Sequence, residues 1–269
     1  PTKIRQYIHL CVEDKDLKSL KSSSSERKAM AKEMMMAKSV EEHEEKQRGK
    51  NFKWLEMFRK TGMAKRKAVR AYVTDLLDKG VKFLIFGFHL KVLDEIEDVV
   101  KKNKVKYIRI DGSTAQGKRQ KMVDEFRHNS EFRVAILSIT AAGVGLTFTP
   151  CSTAIFAELY WTPGTLLQAE DRVHRIGQTT TVTIQYLLAK GTLDDELWPL
   201  IQKKIEILGE TLDAKNEVNQ WDDSEYSKYE GMDQTMKDED DEARNNRTNK
   251  YKFELGLDDI ENMDAAEEL

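Results

Sequence analysis

The chain has 269 residues, of which 34% are charged and 39% hydrophobic, enough for one large or two modest domains with a core in part of the sequence. No apolar run reaches the ~18 residues of a membrane span. The two cysteines, Cys11 and Cys151, match no zinc-ligand spacing and indicate a reducing intracellular compartment. These features argue against a membrane protein, a disulfide scaffold and a zinc module, and the first residue, Pro1, suggests a fragment of a longer protein.

The net charge of -3 conceals an uneven distribution along the chain. Residues 210–269 contain 20 acidic and 7 basic side chains, whereas the preceding residues contain 27 acidic and 37 basic side chains. A basic body with an acidic tail suits a nucleic-acid partner for the body. A mixed soluble surface would give the same balance, so charge alone does not identify the partner.

Residues 1–62 are expected to form a helical or linker segment that leads into a separate body. Alternation of apolar and polar side chains predicts a strand over residues 3–10. A stretch rich in Met, Lys and Glu predicts a long helix over residues 26–48, whose methionines either line an interaction face or simply pack one side of the helix. Aromatic residues within 52–58 predict a second, short helix that docks on the body.

Residues 63–209 alternate short apolar runs with amphipathic stretches. Strands are predicted over residues 81–86, 106–110, 133–139, 154–157 and 182–188. Helices are predicted over residues 90–100, 117–127, 163–176 and 193–208. We therefore expect an α/β fold, a parallel sheet with helices on both faces.

The acidic residues 210–269 form the third expected region. They are poor in aliphatic side chains, and one block, residues 238–242, consists only of Asp and Glu. Such a composition predicts a mostly disordered tail, with short helices near Tyr226 and over residues 255–263.

Three segments that carry candidate ligand-binding residues are expected at the carboxyl ends of predicted strands, because ligands of open α/β sheets gather there. Asp111-Gly112-Ser113-Thr114 offers N–H and O–H donors to a phosphate, although an ordinary helix cap would have the same sequence. The run from Ser138 to Thr147 is rich in glycine and allows close backbone approach to a ligand. The run lacks the lysine of a P-loop, and an ordinary strand-to-helix connection would explain its composition equally well.

A third segment, QAEDRVHRIGQ over residues 168–178, follows Pro163 at the start of a predicted helix. On a continuous helix, Gln168, Arg172 and Arg175 would share one face and present planar, multi-donor groups to a polyphosphate. A solvated charged face with local ion pairs is the alternative. His174 and Trp161 fit packing roles better than catalysis or base stacking.

In this order, the segments IRIDGST, ILSITAAGVGLTF, FAELYWTPG and QAEDRVHRIGQ resemble the second RecA-like lobe of superfamily 2 helicases, and within them the Swi/Snf-type ATPases. The resemblance covers residues 63–209 strongly and residues 1–12 weakly. Residues 139–143 and 156–161 depart from the usual remodeller motifs, and residues 189–202 look most like the HARP (HepA-related protein) group of annealing helicases. The resemblance implies a nuclear, DNA-dependent ATPase that rewinds or remodels branched DNA at replication forks.

The resemblance also implies roles for individual residues. Arg172 and Arg175 match arginine-finger positions that reach the γ-phosphate of ATP. Residues matching the nucleotide side of the cleft are Gln168, Gly145 and Thr147. Residues matching contacts to the DNA backbone are Ser113, Thr114 and Ser138. The family usually has Asn in place of Thr147 and Thr in place of Ile139, and no metal ligand is implied in this chain.

The chain contains no P-loop motif and no Asp-Glu-x-His motif, both of which belong to the first lobe of such enzymes. Mg²⁺–ATP is therefore expected to be held mainly by that lobe, which would be a partner together with DNA. A single-strand-binding protein would contact regions that this sequence does not include. A nucleosome-remodelling ATPase and a non-enzymatic lobe that binds DNA or partners are the alternatives. A DEAD-box RNA helicase fits less well, because Asp171 stands where those enzymes have Gly.

Overall fold

The computed structural model describes residues 2–18, 20, 22–36, 53–141, 146–149, 151–175, 177–211 and 221–226. The chain divides into two units, Pro1–Ser227 and Lys228–Leu269, and all the described residues lie in the first. The expectations for Gly145, for the second half of the helix over 26–48 and for most of the acidic tail fall outside the described residues.

Seven described strands form one sheet with the order β3-β4-β2-β5-β6-β1-β7, and each pair of neighbours is parallel. The strands are β1 (Lys3–Leu10), β2 (Phe83–Gly87), β3 (Lys106–Ile110), β4 (Phe132–Ser138), β5 (Thr153–Phe156), β6 (Val182–Ala189) and β7 (Trp221–Tyr226). The helices are α1 (Asp14–Lys18), α2 (Ser24–Met36), α3 (Lys53–Asp78), α4 (Leu90–Lys102), α5 (Gln116–His128), α6 (Pro163–Glu170) and α7 (Asp194–Thr211). The predicted α/β fold with a RecA-like parallel sheet is confirmed.

The core lies on both faces of the central strands. All five residues of β2 are buried, as expected for a strand covered by helices on each side. Phe86, Phe156 and Tyr186 stack across β2, β5 and β6, with ring centroids 4.9 and 4.6 Å apart. The three stacked rings therefore pack β2, β5 and β6 against one another in the centre of the sheet.

Two local predictions were wrong. The short helix predicted over 52–58 is the beginning of α3, a single helix of 26 residues that continues through residue 62. Its long buried face, which includes Trp54, Phe58 and Tyr72, explains why no break occurs. Near Tyr226 the structure has a strand, β7, in place of a helix, because that segment pairs with the free edge of β1.

Candidate functional site

The carboxyl end of β3 leads into a tight loop built around the buried carboxylate of Asp111. One oxygen, Oδ1, accepts hydrogen bonds from the backbone N–H and the hydroxyl of Ser113, at 3.0 and 2.6 Å. The other, Oδ2, accepts from Nε of Arg109 at 2.9 Å. Burial raises the pKa of Asp111, but the bonds from Ser113 and Arg109 outweigh it, so the pKa lies below its ordinary value. A carboxylate therefore fixes the shape of this loop at neutral pH.

The structure brings Ser113, Thr114 and Ser138 to the same edge of the sheet. The strands that precede them are paired, with Ile110 opposite Leu137 at their ends. Ser113 is exposed, and the hydroxyl of the buried Ser138 lies 3.0 Å from that of Thr140. The loop is not a side-chain helix cap, because α5 is preceded by Ala115 and has no side-chain cap bond. Polar groups from two adjacent strand ends thus face one edge.

A second buried carboxylate, Glu158, orders the next part of this edge and was missed in the sequence. It is 2% exposed and accepts hydrogen bonds from the backbone N–H groups of Phe88 and His89, at 2.7 and 2.9 Å. Its Oε1 also lies 2.6 Å from Nδ1 of His89. The only signal in the sequence is one acidic residue inside the otherwise apolar run 154–161.

Substitution of Gly62 is expected to disturb this carboxylate. A Cβ at position 62 would lie far inside the contact distance of Glu158 Oε1 and 3.0 Å from Nδ1 of His89. In an open helix, Gly→Ala stabilises by about 0.5–1 kcal/mol. Here we expect Gly62→Ala to destabilise by about 1–3 kcal/mol, as overpacking does, measured by urea unfolding of the chain.

Gly117→Ala in α5 is the matched control for that experiment. A Cβ at Gly117 meets no atom within 4 Å, so this substitution should raise the free energy of unfolding by about 0.5 kcal/mol. Equal effects at the two positions would contradict the close approach of α3 to Glu158.

The helix that carries Gln168 ends earlier than predicted. Helix α6 stops at Glu170, and residues 171–175 form a turn that we call the arginine loop. Its backbone is held by the carbonyl of Glu170, which accepts from Val173 N and His174 N, both at 3.0 Å. Gln168, Arg172 and Arg175 therefore do not share one helical face, although Gln168 is exposed on α6.

The arginine loop contacts the described end of the glycine-rich turn. Nη1 of Arg175 donates to the hydroxyl of Thr147 at 2.6 Å, and Nη1 of Arg172 points to the carbonyl of Leu146 at 3.4 Å. The backbone N–H of Phe148 donates to the carbonyl of Arg172 at 2.9 Å. The two arginines thus contact the neighbouring residues Leu146 and Thr147 at the end of that turn.

The arginine loop lies near the amino ends of the strands, not near the carboxyl ends. Gln178, just after the loop, donates from Nε2 to the carbonyl of Cys151, which directly precedes β5. The Cys151 thiol in turn contacts the carbonyl of Lys82, at the start of β2. The expectation that all three segments lie at the carboxyl ends of strands was therefore wrong. Helix α6 runs from the carboxyl end of β5 back towards the amino end of β6, so the arginine loop lies at the other end of the strands from Ser138.

The arginine loop carries two arginines and one exposed carboxylate, that of Asp171. No salt bridge joins Arg172 or Arg175 to an acidic side chain among the described residues, and Nε of Arg172 is buried without a hydrogen-bond acceptor. Burial and the adjacent charge of Arg175 lower the pKa of the Arg172 guanidinium, and the opposing effect of the Asp171 carboxylate is smaller. Two cations placed together in this way are suited to an anionic ligand such as a phosphate.

A buried charge cluster lies directly before the arginine loop and was also missed in the sequence. The carboxylate of Glu170 is fully buried and accepts hydrogen bonds from Lys3, Arg5 and Tyr186. Burial raises the pKa of Glu170, but the charges of Arg5 and Lys3 outweigh it and hold the pKa below its ordinary value. The signal that could have identified the cluster is a pair of basic residues at alternate, inward positions of β1.

Among the described residues, no three His, Cys, Asp or Glu side chains come together in a way that could hold a metal ion. Within the same ranges, no helix combines the length and the apolar character needed to cross a membrane.

Comparison with known proteins finds similarity over the central part of the chain. Residues 64–177 match the family described as helicase conserved C-terminal domain. The chain is 49% identical over 173 residues to the SWI/SNF-related matrix-associated actin-dependent regulator of chromatin subfamily A-like protein 1 of Xenopus laevis, a match covering 64% of this chain and 18% of that protein. It is 46% identical over 175 residues to the DNA annealing helicase and endonuclease ZRANB3 of Homo sapiens, covering 65% and 16%.

One solved structure is also similar to the chain. It is the crystal structure of the C-terminal part of the Fun30 ATPase domain, with 28% identity, a TM-score of 0.47 and coverage of 56% of this chain and 54% of that one. The match covers less than a fifth of the length of each of the two curated relatives named above.

Proposed function

We propose that the chain is the second motor lobe of an ATP-dependent DNA annealing helicase, because residues 64–177 match the helicase conserved C-terminal domain and the chain is similar to SWI/SNF-related and annealing-helicase proteins. The full protein would rewind or remodel branched DNA at replication forks in the nucleus. Its first lobe would hold Mg²⁺–ATP, and the arginine loop of this chain would complete the site.

The observation that carries the proposal is the pair of adjacent arginines in the arginine loop. Arg172 and Arg175 lie close enough for the charge of one to lower the pKa of the other, neither forms a salt bridge with an acidic side chain among the described residues, and Nε of Arg172 is buried without an acceptor. The γ-phosphate of ATP would supply that acceptor and a negative charge shared by both arginines. Arginines at this position stabilise the charge that spreads over a transferring phosphoryl group. Gln168, exposed on α6, and Thr147, bonded to Arg175, would contact the nucleotide from the same side.

The opposite edge of the sheet would contact DNA. Ser113, Thr114 and Ser138 lie at that edge, where the Thr114 hydroxyl accepts the N–H of Asp111 and keeps its own proton to donate, and the body of the chain has an excess of basic residues. Such donors bind phosphate oxygens and fix register without reading bases. The separation of this edge from the arginine loop suits a motor, because ATP and DNA must occupy different surfaces of the same lobe.

The 269-residue chain alone is expected to hydrolyse no ATP, with or without DNA. It has no P-loop motif and therefore no group to hold the β- and γ-phosphates. Phosphate release by the purified chain should match a buffer control, whereas a protein that also carries the first lobe should be active. DNA-stimulated turnover by the chain alone would show that hydrolysis does not require the first lobe.

The DNA substrate is tested with the full-length protein on forked, linear duplex and nucleosomal DNA. We expect forked DNA to stimulate phosphate release most, and the protein to anneal a fork whose arms have been separated. Stronger stimulation by nucleosomes would instead assign the motor to nucleosome remodelling. DNA binding without hydrolysis on any substrate would assign the lobe to a binding role only.

A further inference from the structure

The cluster that surrounds Glu170 joins the first strand of the chain to the arginine loop. Lys3 and Arg5 lie on β1, Tyr186 lies on β6, and Glu170 is the last residue of α6. Nε and Nη2 of Arg5 donate to the two carboxylate oxygens at 2.9 and 2.7 Å. Nζ of Lys3 and the hydroxyl of Tyr186 donate to the same group at 3.1 and 2.8 Å.

This contact is too specific to be a general packing contact. The side chains of Lys3, Arg5 and Glu170 are each at most 1% exposed, so all three charges have lost their contact with water. A two-point Arg–carboxylate contact fixes the orientation of the carboxylate as well as its distance. Buried charges of this kind are tolerated only where the geometry is well satisfied, so the end of α6 is held rigidly to β1.

The backbone of Glu170 transmits that fixed position to the arginines. Its carbonyl accepts hydrogen bonds from the N–H groups of Val173 and His174, and these two bonds close the turn of the arginine loop. The carbonyl of Arg172 accepts the N–H of Phe148. The side chain of Glu170 thus fixes where the arginine loop begins, and its carbonyl fixes how the loop turns.

We propose that Glu170 is a positioning residue for Arg172 and Arg175, held in place by the basic side chains of β1. This inference rests on the proposed function, because it concerns the same phosphate-binding arginines. It adds that the strand at the start of this chain determines the geometry of the arginine loop. A change in the path of β1 would therefore change the catalytic rate without any contact between β1 and ATP.

Glu170→Gln in the full-length protein is the direct test. The substitution keeps the size of the side chain but removes the charge that Lys3 and Arg5 bind. A displacement of about 1 Å at a catalytic group costs about 100-fold in rate, so we expect kcat of DNA-stimulated hydrolysis to fall by that factor. The KM for ATP should change by less than about threefold, since the arginines act mainly in the transition state.

A binding measurement separates positioning from loss of folded protein. ADP–aluminium fluoride, a mimic of the transferring phosphoryl group, should bind Glu170→Gln about 100-fold more weakly, whereas the affinity for the ground-state analogue ATPγS should change by less than about threefold. If Glu170→Gln does not fold, Arg5→Lys keeps the buried charge and loses the two-point contact. For Arg5→Lys we expect the affinity for ADP–aluminium fluoride and kcat to fall about tenfold, with the affinity for ATPγS nearly unchanged.

Asp194→Asn is the matched control, because it breaks another fully buried ion pair, with Lys65, that does not contact the arginine loop. It should lower the melting temperature while leaving kcat per folded molecule within about threefold of the parent. Equal losses of kcat in Glu170→Gln and Asp194→Asn, or parallel losses for both nucleotide analogues, would overturn the positioning role. A silent Arg175→Ala in the same assay would instead overturn the proposed function itself.

Discussion

Arg175→Ala in the full-length protein should lower DNA-stimulated ATP hydrolysis by about three or more orders of magnitude. Arg175 is exposed, its Nη1 donates to Thr147, and no described carboxylate neutralises it. Its removal therefore costs little in the folded lobe and takes away one cation where charge develops on the phosphate. The measurement is the rate of phosphate release at saturating forked DNA, with DNA affinity determined in parallel.

Arg59→Ala is the control for this loss. Arg59 is also an exposed arginine, but it lies on α3, away from the arginine loop. Its substitution should leave the rate within about twofold of the parent, as surface changes remote from a site usually do. A silent Arg175→Ala, or equal losses at the two positions, would show that the arginine loop does not act on the phosphate.

The largest effect on stability is expected from Lys65→Met. Nζ of Lys65, on the buried side of α3, donates to Asp194 Oδ2 at 2.7 Å and to the carbonyl of Leu187 at 2.6 Å. Removing the amine leaves the Asp194 carboxylate buried without its cation. Breaking one partner of a buried ion pair costs about 3–5 kcal/mol, so we expect that loss in the free energy of unfolding measured with urea.

The double variant Lys65→Met with Asp194→Asn distinguishes an unpaired charge from a simple packing defect. Asn at position 194 carries no charge, yet its side-chain oxygen can still accept the N–H of Ala189, as Asp194 Oδ2 does at 3.0 Å. We therefore expect the double variant to be more stable than Lys65→Met alone by at least about 1 kcal/mol. Additive losses would mean that packing, not the unpaired charge, causes the destabilisation.

The strands and the fold class could be predicted from the sequence, because both depend on apolar periodicity. Short runs such as residues 81–86 and 154–157 are apolar enough to indicate buried strands. In the helices between them, apolar residues recur with the 3.6-residue period of an α-helix. Such periodicity depends only on residues that are close together in the sequence.

The buried carboxylates were not accessible in the same way. Apart from Tyr186, the partners of Glu158 and Glu170 named above are 69 to 167 positions away in sequence, at Phe88, His89, Arg5 and Lys3. Nothing local distinguishes such a residue from an acidic side chain in solvent. The end of α6 was missed for a related reason: residues 171–175 are compatible with a helix, and the long-range contact of Arg172 with Phe148 favours the turn.

The position of β1 within the sheet also has a consequence for how the lobe forms during synthesis. Lys3 lies opposite Val182 and Leu10 opposite Ala189, so β1 can pair with β6 only after the roughly 180 residues that separate the partners have been synthesised. As long as β1 has not docked, the edge of β6 that it will cover stays unpaired. Contacts this distant in sequence slow folding, because a long loop must close before any stabilisation is gained. Closure of β1 onto β6 is thus expected to be a late step, and the lobe is most vulnerable to aggregation and proteolysis just before it.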